Sequence, residues 1–170
     1  MFEYIKQDFS NNNAFKSKFI LGWFRLCQLV LAIKFKPVRW LLLPLVGGYR
    51  IFVDWFMGID LHPALNLGAG ATLYHGHGLV VAKGSVIGRN CLLRQGVTIG
   101  RKINADGEKS ADPIIGDNVE FGANAMVIGG ITIGGECVVG AGVVVTKSLQ
   151  SGTVIVCQAP RILRGGYDGG

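Results

Sequence analysis

From Leu61 onward the sequence places a large apolar residue at every sixth position, and this period limits the possible folds more than any other feature. After one long interruption the same spacing resumes at Ile115. The series is Leu61, Leu67, Leu73, Val81, Ile87, Leu93, Ile99, Ile115, Phe121, Val127, Ile133, Val139 and Val145. A six-residue unit cannot bury its own apolar face and must stack on its neighbours. The period therefore predicts a mainly β fold, a parallel β-helix.

Two companion patterns follow the same period. Glycine comes directly after the large residue at Gly68, Gly88, Gly100, Gly116, Gly122, Gly134 and Gly140. We expect these glycines at tight corners with unusual backbone dihedral angles. A smaller apolar residue lies four positions after the large one, and Cys91 and Cys137 occupy such positions. Both cysteines are interpreted as interior filler rather than as nucleophiles.

The repeat is interrupted twice. Eight residues separate Leu73 from Val81, so the segment "HGHG" carries a two-residue excess. Sixteen residues separate Ile99 from Ile115, and the polar segment "RKINADGEKSAD" predicts an extruded loop at about 101–112. Function tends to concentrate at such places, because a loop can vary while the scaffold stays rigid.

Residues 1–57 differ from the repeat in composition. They hold eight Lys or Arg and three acidic residues, so +5 of the net charge of +6 lies there. Charged residues and Pro37 break the apolar runs below the roughly 18 to 20 residues that a membrane-spanning helix needs. Helices are predicted at about 15–33 and 38–56, separated by Pro37. Tryptophans beside Lys and Arg are typical of an interfacial membrane helix, whereas packing on the protein or between subunits is the alternative.

Cysteine usage and charge bound the setting of the protein. The four cysteines are scattered without CxxC spacing, and no cleavable signal peptide is visible. These features predict reduced thiols in a cytoplasmic protein, with the inner membrane face as the site of any peripheral attachment. The repeat region carries no basic stripe, so nucleic acid is not an expected partner.

The repeat residues resemble a known family. The segment "IIGDNVEFGANAMVIGGITIGGECVVGAGVVV" resembles hexapeptide-repeat acyltransferases, which implies a left-handed β-helix and a homotrimer or a dimer of trimers. The segment "GIDLHPALNLGAGATLYHGHGLVV" is similar to serine acetyltransferases. "LLLPLVGGYRIFVDWFMG" and "RQGVTIGRK" instead resemble colanic-acid-type exopolysaccharide O-acetyltransferases. The resemblance covers roughly 58–164, which we expect to be the acyltransferase domain, between a helical segment at 1–57 that is unlike the long helical domain of serine acetyltransferases and a flexible tail at 165–170.

The same resemblance implies a catalytic pair. It assigns His75 as the general base and Asp60 as its orienting partner. Histidine suits the role because its ordinary pKa of about 6.5 is close to working pH, and a carboxylate fixes its tautomer. A backbone N–H near Gly100 is the candidate oxyanion donor. His77 and Tyr74 are candidate acceptor contacts.

Two departures from the serine enzymes bear on the acceptor. Tyr74 replaces an acidic residue, and Ala111 and Asp112 replace an Arg-His pair that serves the amino-acid carboxylate. A zwitterion needs a counter-charge for each end, because unpaired buried ions are costly. A saccharide hydroxyl is therefore the expected acceptor, with Asp112 as a candidate contact; serine O-acetylation is the alternative.

Acetyl-CoA is the implied donor. The resemblance assigns it to a groove between subunits, at the positions of Gly122, Ala123, Gly140 and Ala141. Lys147, Arg161 and Arg164 are candidate cations for its phosphates.

A metal site is the rival interpretation of the histidines. His75 and His77 could point two imidazoles the same way from an extended segment. The gamma-type carbonic anhydrases, however, use one histidine far upstream of two that lie five positions apart, and this chain has His62, His75 and His77 only. No metal is therefore expected, and His62, which precedes Pro63, is assigned to a turn. A non-catalytic solenoid would leave the pairing of Asp60 with His75 unexplained.

Overall fold

A computed structural model describes residues 1–158 of the chain. The period-six region forms a parallel β-helix whose strands lie in three sheets. Sheet A holds β1 (Asp60–Leu61), β4 (Val80–Val81), β7 (Thr98–Gly100), β10 (Met126–Ile128) and β13 (Val144–Val145). Sheet B holds β2 (Asn66–Leu67), β5 (Val86–Ile87), β8 (Ile114–Ile115) and β11 (Thr132–Ile133). Sheet C holds β3 (Thr72–Tyr74), β6 (Leu92–Arg94), β9 (Glu120–Phe121), β12 (Val138–Val139) and β14 (Val154–Ile155).

Each of the first four coils contributes one strand to each sheet, the fifth contributes β13 and β14 only, and equivalent residues of successive coils lie in register. Leu61 pairs with Val81, and Val81 pairs with Ile99. All the large residues of the period, from Leu61 to Val145, are at most 3% exposed. The predicted parallel β-helix is confirmed, and its core is the stack of these side chains.

The cysteines inside the β-helix are filler, as predicted. Cys91 and Cys137 are fully buried, and their Sγ atoms contact the carbonyl oxygens of Gly116 at 3.2 Å and Gln150 at 3.1 Å. Burial raises the pKa of Cys91 to about 11, so this thiol stays protonated at neutral pH.

The glycines of the repeat have a different role from the one expected. They do not adopt positive φ angles; those occur two residues later, at Gly70, Asn90, Asn118, Asn124, Glu136 and Gly142. The repeat glycines are instead required by close stacking. A Cβ on Gly116 would lie 2.6 Å from the backbone nitrogen of Gly135, in the next coil. Gly100 is the exception, with nothing within 4 Å, because the chain leaves the coil there.

The N-terminal segment forms three helices, one more than predicted. They are α1 (Phe2–Asn11), α2 (Phe15–Ala32) and α3 (Lys36–Tyr49), and α3 continues as a π-helix over Arg50–Phe56. The prediction missed α1, and Pro37 lies in the first turn of α3 rather than in the gap before it. Among the described residues, none of the helices has both the length and the apolar character needed to cross a membrane.

These helices cap the open side of the first coil, and a buried ion pair is central to the contact. Asp8 pairs with Arg25 at 2.8 Å, and both side chains are at most 1% exposed. The Asp8 carboxylate also accepts hydrogen bonds from the backbone nitrogens of Gly70 and Ala71 at 2.8 and 3.1 Å. Arg25 donates to the carbonyl oxygen of Leu67 at 2.8 Å. Residues 1–57 are hereafter called the cap.

Further side chains of the cap extend this pattern along the coil. Asn12 accepts a hydrogen bond from the backbone nitrogen of Leu73 at 2.9 Å, and Ser17 donates to the carbonyl oxygen of Leu73 at 2.7 Å. The Tyr49 hydroxyl donates to the carbonyl oxygen of Leu61 at 3.0 Å. An uncovered first coil would expose a row of unpaired backbone groups, and the cap removes that exposed edge.

Candidate active site

The two-residue excess between β3 and β4 forms a bulge at the corner where sheet C passes to sheet A. Gly78 occupies the place that Gly96 has in the next coil, with φ angles of 69° and 68°. His75 and Gly76 are therefore the extra residues, with φ angles of 63° and 65°. A left-handed conformation is uncommon outside glycine, although histidine tolerates it better than branched residues. The bulge places the His75 ring outside the stack, and His75 is exposed.

A lysine of the cap holds this corner. Lys16, in the first turn of α2, donates to the carbonyl oxygen of His75 at 3.1 Å. Its Nζ also lies 3.0 Å from Nε2 of His77. Because an ammonium can only donate, Nε2 of His77 is assigned as the acceptor and its proton to Nδ1. The role of Lys16 was not predicted from the sequence, because 59 residues separate it from His75 and no pattern links the two.

Asp60 lies on β1, at the same edge of the first coil, with its side chain half exposed. Its carboxylate accepts a hydrogen bond from Nη1 of Arg50 at 3.3 Å, and Arg50 also pairs with Asp54 at 2.7 Å. Within residues 1–158 no hydrogen bond joins Asp60 to His75. Their pairing stays a prediction. To contact His75, the Asp60 carboxylate would have to give up its ion pair with Arg50.

The residues assigned to the acyl carrier lie on the same corner edge as His75, in later coils. Gly122, Ala123, Gly140 and Ala141 line one groove of about 330 Å³, together with Arg94. Successive coils are about 4.8 Å apart, so this edge runs about 14 Å from the His75 corner to Ala141.

Arg94 connects this groove to the His75 corner. Tyr74 and Arg94 are partners in adjacent coils, and the guanidinium carbon lies 5.2 Å from the centre of the Tyr74 ring. The sequence could have indicated this contact, because each of the two residues directly follows a large residue of the period. Arg94 adds a cation to a groove whose other assigned residues are small.

Gly100 and Asp112 lie at the opposite edge of sheet A, where the extruded loop leaves the β-helix. The loop is confirmed, and it forms a hairpin in which the backbone nitrogen of Asn104 donates to Glu108 at 2.9 Å. Asp112 is paired with Arg101 at the base of this hairpin at 2.7 Å, which lowers the pKa of the Asp112 carboxyl. One chain by itself therefore separates these two residues from His75.

Of the remaining assigned cations, only Lys147 is described, and it lies outside the groove. Lys147 is exposed just after β13, at the edge of sheet A opposite the groove. Arg161 and Arg164, like the tail at 165–170, lie outside the described residues. Within residues 1–158 no cluster of three or more His, Cys, Asp or Glu side chains is placed to hold a metal ion.

His62 has the turn role that was assigned to it. Its Nδ1 accepts a hydrogen bond from the backbone nitrogen of Ala64 at 2.9 Å, and its carbonyl oxygen accepts one from Leu65 at 2.8 Å. Burial, and then the positive charges of Arg50 and Lys83, lower the pKa of His62 below its ordinary value.

The sequence of this chain is similar to those of known acetyltransferases. The family described as "Hexapeptide repeat of succinyl-transferase" matches residues 114–147. The chain is 38% identical over 119 residues to WcaB of Escherichia coli K12, named as a colanic acid biosynthesis acetyltransferase, covering 70% of this chain and 72% of that protein. It is 36% identical over 106 residues to a serine acetyltransferase of Synechococcus elongatus, covering 62% of this chain and 43% of that protein.

Solved structures of serine acetyltransferases resemble this chain. Isoform 3 from Entamoeba histolytica, in complex with cysteine, superposes with a TM-score of 0.75 at 26% identity, covering 96% of this chain and 61% of that one. The soybean enzyme complexed with serine superposes with a TM-score of 0.67 at 31% identity, covering 86% of this chain and 57% of that one. The chain thus spans about three fifths of the length of these structures.

Proposed function

This chain belongs to the hexapeptide-repeat acetyltransferases, whose fold is the left-handed β-helix, and on that premise we propose that it acetylates a saccharide hydroxyl in surface-polysaccharide biosynthesis. Acetyl-CoA is the proposed donor. The relative named for colanic acid biosynthesis is matched over 72% of its length, whereas the Synechococcus serine acetyltransferase is matched over 43%.

The observation that carries the choice of acceptor is the lack of suitable counter-charges. Tyr74, beside His75, offers a neutral phenol where a serine ammonium would need a carboxylate. Asp112, at the position that resemblance gives to a carboxylate-binding residue, is itself an anion and is paired with Arg101. At these two positions a bound zwitterion would meet a neutral phenol and an anion instead of the counter-charges it needs, and that penalty does not apply to a neutral hydroxyl.

The proposed chemistry is direct transfer. Nε2 or Nδ1 of His75 removes the proton of the acceptor hydroxyl while the oxygen attacks the thioester carbonyl. The carbon–sulfur bond then breaks, an ester bond has formed, and the leaving thiolate takes the proton from His75. The exposed ring of His75 is accessible to both substrates, and the groove lined by Arg94 and Gly122 would hold the carrier along the same edge.

A trimer would complete this site. Because Gly100 and Asp112 lie at the opposite edge of sheet A, they reach a His75 only if a neighbouring subunit supplies them. We infer that the oxyanion donor and the acceptor contact at Asp112 act across such an interface. A dimer of trimers through the caps is a further assembly that mass measurement in solution would reveal.

An acceptor screen tests the function. Free thiol release from acetyl-CoA is followed with serine, nucleotide sugars and purified glycans as acceptors, and the product is checked by mass spectrometry. We expect turnover with a saccharide and little with serine. Efficient formation of O-acetylserine would overturn the acceptor assignment and leave the acetyltransferase assignment in place.

We also propose that the cap attaches the enzyme to an anionic membrane surface. Its inner face packs on the first coil, but Trp40, Leu41, Trp55 and Phe56 are 69 to 86% exposed on the outer side. Basic residues of the same segment would meet anionic lipid, at about 1 kcal/mol each. A surface of exposed aromatic and aliphatic side chains beside cations suits the headgroup region.

The membrane proposal is tested without deleting the cap, because deletion would uncover the first coil. The double variant Trp55→Ser/Phe56→Ser alters only exposed side chains and should lose most of its co-sedimentation with anionic vesicles. Ile103→Ser, which changes an apolar residue of the extruded loop that is 68% exposed, is the control and should bind like the wild type. Equal binding by both variants would show that the cap is not the attachment surface.

A further inference from the structure

A second cavity adjoins His75, on the side away from the carrier groove. It has a volume of about 330 Å³ and lies between sheet C and the linker that joins α1 to α2. Its polar lining includes Asn13, Lys16, Thr72, Tyr74 and His75.

The wall of this cavity is rigid where it meets the backbone. Asn12 and Ser17, on either side of the linker, are buried and bind the backbone of Leu73. Asn12 also donates to the carbonyl oxygens of Asp8 and Ala71, at 2.7 and 2.8 Å. These contacts hold the linker at a constant distance from β3, so the cavity is built into the fold.

Other polar groups of the wall are available to a ligand. The side chains of Asn13, Thr72 and Tyr74 make no hydrogen bond within residues 1–158. Thr72 and Tyr74 lie on the outer side of β3, with the buried Leu73 between them. The cavity therefore offers an amide, two hydroxyls and one aromatic ring within reach of the His75 base.

The charge of the wall restricts the ligand. Among residues 1–158 no acidic side chain lines the cavity, and the ammonium of Lys16 is already bound to the His75 corner. A cationic group would find no partner there, whereas neutral hydroxyls match the amide and hydroxyl groups of the wall. The volume is near the lower limit of small-molecule sites, about 300 to 1,000 Å³, which fits one sugar unit better than an extended chain.

We propose that this cavity is the acceptor subsite for a neutral sugar ring, and that Asn13 and Thr72 determine its specificity by hydrogen bonding to the ring hydroxyls. This inference rests on the proposed saccharide acetyltransferase function and gives the acceptor a place on this chain. The Tyr74 ring would contact the C–H face of the sugar, and the reacting hydroxyl would point to His75.

The test uses the full chain and isosteric variants. Thr72→Val removes a hydroxyl without changing the shape of the side chain, and Asn13→Ala removes the amide. Thr132→Val and Asn66→Ala are matched controls, since Thr132 and Asn66 are the exposed first residues of strands in sheet B. The probes are the methyl glycosides of glucose, galactose and fucose, with serine as the zwitterionic comparison.

Binding is measured by saturation-transfer NMR, and turnover by thiol release. We expect at least one glycoside to bind the wild type. Each cavity variant should weaken its binding and raise its KM about 3- to 10-fold, as expected for one lost hydrogen bond, with the KM for acetyl-CoA unchanged. The controls should match the wild type in all three measurements.

The contrary outcomes are distinguishable. If a glycoside binds and is acetylated but Thr72→Val and Asn13→Ala leave its KM unchanged, the subsite is elsewhere and the saccharide function stands. If the wild type acetylates serine and binds no glycoside, the saccharide function and the subsite both fail. If no glycoside binds the wild type, the subsite is overturned even where a larger glycan is acetylated.

Discussion

The two sides of the first coil are covered by different chemistry. On one side the second coil covers it with backbone hydrogen bonds, such as that from Gly68 to Ile87 at 2.8 Å. On the other side the cap covers it with side chains, among them Asp8, Arg25 and Asn12. The same backbone hydrogen-bonding pattern recurs between successive coils of the β-helix, whereas each side-chain contact of the cap occurs only once.

This difference separates what each region contributes to function. The β-helix supplies the proposed base at a bulge of its own repeat and the proposed carrier groove along one edge. The cap supplies the residues that hold this bulge and the linker that walls the cavity beside it. The proposed base and carrier groove thus belong to the repeat, whereas the cap supports the base and contributes one wall of the acceptor cavity, and five predictions test that division.

The largest expected effect is on turnover, from a change in the repeat. His75→Ala should lower turnover by roughly 10²- to 10⁴-fold, because it removes the general base. Coenzyme A affinity, measured by calorimetry, should change little, since the groove lies in later coils. His62→Ala is the comparison, because that histidine serves a turn. Wild-type turnover by His75→Ala would refute the base assignment.

The next effect is on stability, from a change in the cap. Asp8→Ala leaves the fully buried Arg25 without its partner and removes the acceptor for two backbone N–H groups. We expect a loss of about 3–5 kcal/mol in the free energy of unfolding, read from urea denaturation. Glu3→Ala, in the same helix but exposed, should cost little. Equal losses for the two variants would show that the cap is not held by this ion pair.

A smaller loss of stability is expected within the repeat. In Gly116→Ala the new Cβ would lie 2.6 to 2.9 Å from backbone atoms of Gly134 and Gly135, which cannot move without disturbing their coil. We expect a cost of about 1–3 kcal/mol, as for other overpacked sites. Gly100→Ala places its Cβ in open space and should be close to neutral in thermal denaturation. A neutral Gly116→Ala would mean that the coils are less closely stacked than described.

The cap's contact with the active-site bulge should have a moderate effect on activity. Lys16→Met removes the donor to the His75 carbonyl and keeps most of the side-chain stem. Loss of a charged hydrogen bond predicts a decrease of about 10-fold or somewhat more in kcat/KM, with the melting temperature nearly unchanged. Lys16→Arg should restore part of the activity, and Lys18→Met should have no effect. Failure of arginine to restore activity would argue against a positioning role.

The same comparison explains what the sequence could predict. A period of six fixes which side chains point inward, so the buried series from Leu61 to Val145 and both interruptions were identified correctly. The role of the repeat glycines was misjudged, because a positive φ angle and close stacking of the backbone both select glycine. The sequence alone does not distinguish the two requirements. The proposed sites at Gly122 and Gly140 are neighbours because they share a phase of the repeat.

The contacts between the cap and the first coil each occur once, so no sequence period indicates them. The pairs that join Asp8 to Gly70 and Lys16 to His75 connect residues 62 and 59 positions apart. Nothing in the spacing of their residue types indicates that they meet. The α1 helix was also missed, although its apolar residues Phe2, Ile5 and Phe9 follow a helical spacing. The separation of Gly100 from His75 likewise depends on the order of the three sheets.

The smallest effect concerns His62, which lies where the cap meets the first coil. Burial and the charges of Arg50 and Lys83 lower its pKa from 6.5, with Asp60 opposing them. Between the lowered pKa and 6.5 the unfolded chain binds more protons than the folded one, so this histidine makes stability fall as the pH drops through that interval. His62→Gln should remove that part of the pH dependence.

Titration of His62 by NMR then reports on the cap itself. Asp8→Asn, a milder change than Asp8→Ala, weakens the ion pair that holds the cap on the first coil. If it loosens the cap, Arg50 moves away and burial decreases, so the pKa of His62 should rise toward 6.5. Glu3→Gln should leave this pKa where it is in the wild type. An identical His62 titration in Asp8→Asn and the wild type would mean that the cap stays docked without the ion pair, and that its remaining single contacts suffice to cover the first coil.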